Sequence, residues 1–369
     1  MKTRMKQLAF VLMVLFFFAA CNNANKDKDV VKIGVILPFT GELASYGNPM
    51  LSGIKLAYNE IDSTKYKLIF IDSKGENKEA VSGLQKLINV DKVKFVIGDI
   101  SSTTTIAMIP IAEKNGVFIL SPGASSPKLR NISKYFARNY PSSIEESLNA
   151  ASFIYNNFDK QNVAVVYVND EYGLGLANLF KDEFLKLGGN ISFFEAYETE
   201  QTDFRTLIEK LKRIKPKVIY LAGNQKEMGL FMKQFAESGI KTQIVSNISF
   251  LEADCINVAG EAANGAIVPL PYYNPEDTTY KGAYSFGKLF FSKYNKYPTV
   301  AEAVGYDALK LMVESIDKSL DDPLKAAAYI RNLKNYDGAL GKLNFTEGEV
   351  SIPVVFKVVK HGKPIDYQK

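Results

Sequence analysis

The chain has little of what most catalytic sites are built from. Among its 369 residues there is one histidine, His361, and there are two cysteines, Cys21 and Cys255. His361 sits in His361-Gly362-Lys363-Pro364, which reads as a turn, so no Ser-His-Asp arrangement and no metal-ligand spacing can be assembled. No phosphate-binding loop is present. Gly173-Leu174-Gly175 resembles part of a dinucleotide loop, but Asn178 stands where a third small residue belongs. The acidic pairs Glu145-Glu146, Glu76 with Glu79, and Asp321-Asp322 read as solvated helix faces or caps. These absences point away from an enzyme, a metal centre and a bound cofactor. Basic residues outnumber acidic ones only by 45 to 40, without a basic stripe, which excludes a nucleic-acid footprint.

The N-terminus carries its own signal. Lys2, Arg4 and Lys6 precede an unbroken apolar run over 8–18, followed by Ala19, Ala20 and Cys21. The run is too short for a permanent membrane span and reads as a secretory signal peptide over 1–20. Two alanines before a cysteine resemble a bacterial lipobox, although Phe18 replaces the usual leucine. The resemblance implies cleavage before Cys21 and lipid attachment (palmitate among the acyl groups) to it. Residues 21–29 are polar and read as a disordered tether. With Cys21 lipidated, Cys255 is left alone, so no intrachain disulfide can form and the core alone must hold the fold. The expected location is the outer face of a membrane, held by the lipid anchor only.

Beyond the tether the length suits two lobes rather than one core. Strand patterns at 31–37, 66–71, 93–97 and 117–120 alternate with helical ones at 50–61, 80–90 and 103–114. A second series follows: strands at 163–168, 191–196, 218–221, 243–246 and 266–270, with helices at 144–158, 174–187, 204–214 and 226–238. Such alternation predicts two doubly wound α/β lobes with parallel sheets, joined by a hinge of several segments. The expected boundaries are 30–141 with 271–337 for the N-terminal lobe and 142–270 with 338–369 for the C-terminal lobe. A closing strand is expected over 350–360. Each series opens alike, with a strand, a loop and then Tyr46-Gly47 or Tyr172-Gly173 ahead of a helix. A cleft at the carboxyl ends of parallel strands would set those tyrosines on opposite jaws.

Ordered short matches cover nearly the whole mature chain. Ile33-Gly34-Val35-Ile36-Leu37-Pro38-Phe39-Thr40-Gly41 with Ala44-Ser45-Tyr46-Gly47 opens them. Val96-Ile97-Gly98 with Ser101-Ser102-Thr103, then Ser121-Pro122-Gly123-Ala124-Ser125-Ser126-Pro127, continue them. Glu171-Tyr172-Gly173-Leu174-Gly175 and Asp203-Phe204 complete them. Together they resemble the branched-chain (Leu/Ile/Val) amino-acid-binding family of periplasmic binding proteins, the type I fold. The resemblance implies a monomeric ligand receptor of an ABC importer, partnered by permease and ATPase subunits in the membrane. A sensor feeding a signalling partner is the alternative reading.

Site roles come with the resemblance. Ser101 and Ser102, between strand and helix, would offer unpaired N–H groups to a carboxylate, and Ser102 its hydroxyl as well. Ser125 would contact both ends of an α-amino acid, the Gly123 carbonyl would accept from its ammonium, and Tyr46 and Tyr172 would cover it. Taken alone, the serines are equally helix caps. The second lobe departs from the family. Ile248 stands where an acid usually pairs with the ligand ammonium, Glu252 fits only by a shift of register, and Asn224 replaces a tyrosine. Asn224, Gln225 and Asn247 suggest a more amide-like jaw, suited to a small polar ligand that carries an amide or lacks the amine.

Overall fold

The computed structural model describes residues 30–368; the expected signal peptide, tether and lipidation site Cys21 lie outside the described residues. The first lobe opens with β1 (Val31–Leu37), α1 (Ala44–Tyr58), β2 (Tyr66–Asp72), α2 (Asn77–Asn89), β3 (Phe95–Gly98), α3 (Ser102–Lys114), β4 (Phe118–Ser121) and the short β5 (Phe136–Arg138). Its parallel sheet has the order β2-β1-β3-β4-β5. Apolar residues occupy both strand faces because both are covered. Val35, Leu37, Ile97 and Leu120 face α1, whereas Ile36, Val96 and Ile119 face α2 and α3.

The second lobe repeats the plan with α4 (Ser143–Asn157), β6 (Val163–Val168), α5 (Glu171–Lys186), β7 (Ile191–Tyr197), α6 (Arg205–Ile214), β8 (Val218–Ala222), α7 (Gln225–Glu237), β9 (Gln243–Ser246), α8 (Ala253–Ala259) and β10 (Ile267–Pro271). The chain then returns to the first lobe as α9 (Lys281–Tyr294), α10 (Val300–Ser319) and α11 (Pro323–Arg331). Two short hairpins, β11 (Tyr336–Gly338) with β12 (Gly341–Leu343) and β13 (Phe345–Thr346) with β14 (Glu349–Val350), follow there. Finally β15 (Val354–Lys360) and β16 (Lys363–Asp366) close the second sheet, whose order is β16-β15-β10-β9-β8-β6-β7. The order β7-β6-β8-β9-β10 copies β2-β1-β3-β4-β5. The likeness of Tyr46 and Tyr172 in sequence thus has a topological cause, since β1 and β6 hold the same place in their sheets.

Two expectations change. The expected boundary after residue 337 falls later, because Ala339, Leu340, Leu343, Phe345, Val350 and Ile352 bury their side chains in the first core. The expected single strand over 350–360 is broken for the same reason, and pairing with β10 starts at Val354, just after Pro353. At that crossing the Tyr272 N–H donates to the Pro353 carbonyl at 2.7 Å, tying two connections together. Helices α1 and α10 meet with unusual closeness. A Cβ on Gly53 would lie 2.0 Å from the Glu302 carbonyl oxygen, and one on Gly305 would lie 2.1 Å from that of Met50. This contact brings the first turn of α10 beside α1, where Val300 and Ala301 reach the cleft.

Candidate functional site

A cavity of about 130 Å³ lies between the lobes, at the carboxyl ends of β3, β4, β6, β8 and β9. In such sheets the switch in winding direction beside β1 and β6 leaves a crevice there. Tyr46, Ser101, Ser102, Gly123, Ser125, Tyr172 and Asn224 all line it. Asn247 does not. It is fully buried behind the wall, where its amide donates to the Tyr172 hydroxyl at 2.8 Å and to the Gly223 carbonyl at 3.0 Å, and its oxygen accepts from the Gly223 N–H at 3.0 Å. Asn247 is therefore a positioning residue for Tyr172.

The first-lobe wall is made of hydroxyls and helix ends. Ser101 caps α3 by accepting from the Thr104 N–H at 3.4 Å, so the cap reading and the cavity placement hold together for one residue. The Ser102 hydroxyl accepts from the Ser126 N–H at 3.0 Å, which leaves its own proton free to donate. Beneath this wall lies fully buried Arg138. Its guanidinium donates to the Ala124 carbonyl at 3.2 Å and the Ser126 carbonyl at 2.9 Å, and pairs with Glu349. Ser125 is thus held from both sides in the chain. Its carbonyl in turn accepts from the Ser143 N–H at 2.9 Å, joining the wall to the first turn of α4.

The second-lobe wall holds acids. Asp170 caps α5 by accepting from the Gly173 N–H at 2.7 Å, and its other oxygen faces the Asn224 amide at 3.4 Å. Burial holds its carboxyl above the ordinary range. After β9 a 3₁₀ turn (Ile248–Leu251) carries Ile248 and Ser249 to the cavity and brings Glu252 back to it. The expectation of a second jaw without an acid is thereby corrected. The turn reverses the chain, so an acid six residues beyond β9 reaches the same space. Burial first, and then the charges of Glu302 and Asp254, push the Glu252 carboxyl up to about 7. Glu146 is a second correction. Far from a solvated face, it is 6% exposed and accepts from the Ile248 N–H at 2.6 Å, and burial pushes it up to about 8.

Leu43, Met50, Ile100, Tyr140, Ile248, Val300 and Ala301 supply the apolar remainder of the lining, which contains no Lys, Arg or His. At both lips the lobes touch. Lys128 pairs with Glu171 at 2.8 Å, and the Glu171 N–H donates to the Thr103 hydroxyl at 3.4 Å. On the other side Lys226 pairs with Glu42 at 3.0 Å, beside a bond from Gln225 to Ser45. Gly175 allows the approach, for a Cβ there would come within 2.9 Å of Pro127 Cδ.

Similar proteins match this architecture over nearly its full length. The Leu/Ile/Val-binding protein of Escherichia coli K12 is 27% identical over 330 residues, covering 86% of this chain and 87% of that protein. The leucine-, isoleucine-, valine-, threonine- and alanine-binding protein of Pseudomonas aeruginosa is 26% identical over 347 residues, covering 92% and 91%. The crystal structure of a leucine-binding protein from Thermotoga maritima superposes with a TM-score of 0.86 at 28% identity, covering 92% of this chain and 98% of that one. The family profile described as periplasmic binding protein matches residues 30–356, a span that holds the first sheet, the second sheet as far as the start of β15, and every residue lining the cleft. The chain belongs to the periplasmic binding protein family.

Proposed function

We propose that the cleft is the ligand site of a substrate-binding protein serving an ABC importer, and that the ligand is a small carboxylate with an apolar body, of the amino-acid class. The observation that carries this reading is the first-lobe wall. It offers hydroxyls and the N-terminus of α3 to a space with no lining cation. Such a wall suits one carboxylate, which helix N–H groups and hydroxyls bind without a counter-charge. Ser102 and Ser125 take that carboxylate, Gly123 and Tyr46 flank it, and Tyr172 and Asn224 face it from the second lobe. The cavity of about 130 Å³ is near the roughly 150 Å³ void that holds a benzene, so the ligand body is a few carbons or one ring. The names of the Escherichia coli and Thermotoga maritima relatives support the same class.

A ligand touching both walls favours the state in which the lips meet, shifting an existing equilibrium between open and closed lobes. The lobes are 30–141 with 272–352, and 142–271 with 353–369. The loaded monomer docks on permease subunits, and Cys21 carries the lipid that keeps it at the outer face of the membrane. Titration calorimetry of residues 30–369 against amino acids and small organic acids tests the site. Ser102→Ala and Ser125→Ala should each weaken binding by about 1–3 kcal/mol. Unchanged affinity in both variants would place the ligand elsewhere. Cys21→Ser should move the protein from the membrane fraction to the soluble one.

A further inference from the structure

Single exposed apolar side chains are ordinary on a protein surface, but a run of them is not. Of the nine large apolar side chains exposed among the described residues, Phe291, Tyr294 and Tyr297 fall within seven positions, at the end of α9 and in the loop after it. The Phe291 and Tyr297 rings lie 4.9 Å apart, and Tyr294 leans on the Phe290 ring at 4.4 Å. Charge singles out the same stretch. Between Asp277 and Glu302 the chain carries four lysines, Lys281, Lys288, Lys293 and Lys296, and no acid. All four are exposed, and among the described residues only Lys296 has an ion-pair partner, Glu302 at 3.1 Å.

Rings and cations are interleaved there. Helical spacing sets Lys281, Tyr284, Lys288 and Phe291 on one outward face, opposite the buried Ala283, Phe286 and Phe290. Lys288 lies 4.3 Å from the centre of the Tyr284 ring, and Lys293 lies 5.7 Å from that of Tyr294. Glu276, at the margin, meets the Tyr297 hydroxyl. Such a face suits a boundary that is apolar on one side and anionic on the other. Rings settle at the level of lipid headgroups, while lysine stems lie along them and the ammonium groups reach phosphates. The chain outside the described residues brings a bilayer within range. Residues 22–29, between Cys21 and Val30, reach at most about 30 Å, against a lobe width of roughly 40 Å, so the lipid and the α9 face can meet one membrane.

We infer that the outer face of α9, with the loop as far as Tyr297, is a contact surface for the anionic headgroups of the membrane that carries the chain. For that membrane the inference rests on the lipidation proposed for Cys21. The contact is salt-labile, and it orients the lipid-held chain without itself anchoring it. Tyr297 stands three residues before Val300 in the cleft lining, so contact here brings the first-lobe rim of the cleft to the bilayer.

Cosedimentation with vesicles tests this, using residues 21–369 with Cys21→Ser so that no acyl chain contributes. At low salt the chain should partition about tenfold or more better onto vesicles of phosphatidylcholine with phosphatidylglycerol than onto phosphatidylcholine alone, and high salt should remove the gain. Lys288→Gln with Lys293→Gln should lower that partition about fivefold or more, and Phe291→Ser with Tyr297→Ser about fivefold. Lys186→Gln with Lys212→Gln, the same loss of charge on exposed helices of the second lobe, should leave it unchanged. Unchanged melting temperatures show that the variants are folded. Equal partition onto the two kinds of vesicle overturns the inference, as does unchanged partition in both α9 variants or an equal loss in the second-lobe variant. Absence of binding to either vesicle also overturns it and leaves the face to a protein partner. None of these results touches Cys21, whose lipidation is read separately from the membrane fraction of the full chain.

Discussion

The two walls of the cleft come from lobes with the same strand order, yet they solve opposite problems. The first wall uses neutral donors, Ser101, Ser102 and Ser125, at strand-to-helix loops. The second uses carboxylates and amides, Asp170, Glu252 and Asn224, on equivalent loops and on a turn after β9. Their supports are opposite as well. Beneath the first wall lies a buried cation, Arg138, which holds two loop carbonyls; behind the second lies a buried acid, Glu146, which holds one N–H. The same strand order thus frames two walls of different chemistry.

The largest effects should come from removing these supports, and they should be unequal. Arg138→Met leaves Glu349 with Arg130 as its remaining partner and frees the carbonyls of Ala124 and Ser126. Breaking a buried pair of this kind should lower stability by roughly 3–5 kcal/mol, read from urea unfolding. Glu146→Ala orphans only the Ile248 N–H and should lower stability by about 1–3 kcal/mol. Equal losses would remove the asymmetry between the walls.

A pH series sharpens the comparison, because raised acids dominate the second wall. Glu146 near 8 and Glu252 near 7 keep their protons in the folded chain when the unfolded chain, at the ordinary glutamate value of 4.5, has lost them. The unfolded state then binds fewer protons, so ligand-free stability should fall as pH rises from about 5 to 8. The smallest effects belong to the lips. Lys128→Ala and Lys226→Ala break exposed pairs with Glu171 and Glu42, and each should change affinity by less than about 1 kcal/mol, fading in high salt.

How much of this was legible in the sequence follows the same division. The first wall is local. Its serines follow apolar strands and precede helices, and the chemistry of capping and of anion binding is written within a few residues of each. Five expected site residues, Tyr46, Ser101, Ser102, Gly123 and Ser125, therefore meet on this side of the cavity. The second wall is not local. Glu146 reaches Ile248 across 102 residues of sequence, and nothing in Glu145-Glu146 distinguishes the buried acid from its exposed neighbour. The 3₁₀ turn that returns Glu252 to the cleft has no periodicity to read, and Asn247 was expected at the ligand because an exposed and a buried amide look alike in sequence. Arg138 gave no signal either, since β5 is three residues long and a buried guanidinium depends on Glu349, far along the chain. The late lobe boundary had the same origin, for the short hairpins after Tyr336 are set by contact with the first core rather than by their own pattern.

The orientation of a bound ligand tests the complementary walls most directly. A crystal structure of residues 30–369 with the tightest-binding ligand of the calorimetric panel should show its carboxylate within hydrogen-bond distance of Ser102 and Ser125. A ligand lying the other way round, with its carboxylate on the second wall, would contradict the division of labour between the two walls.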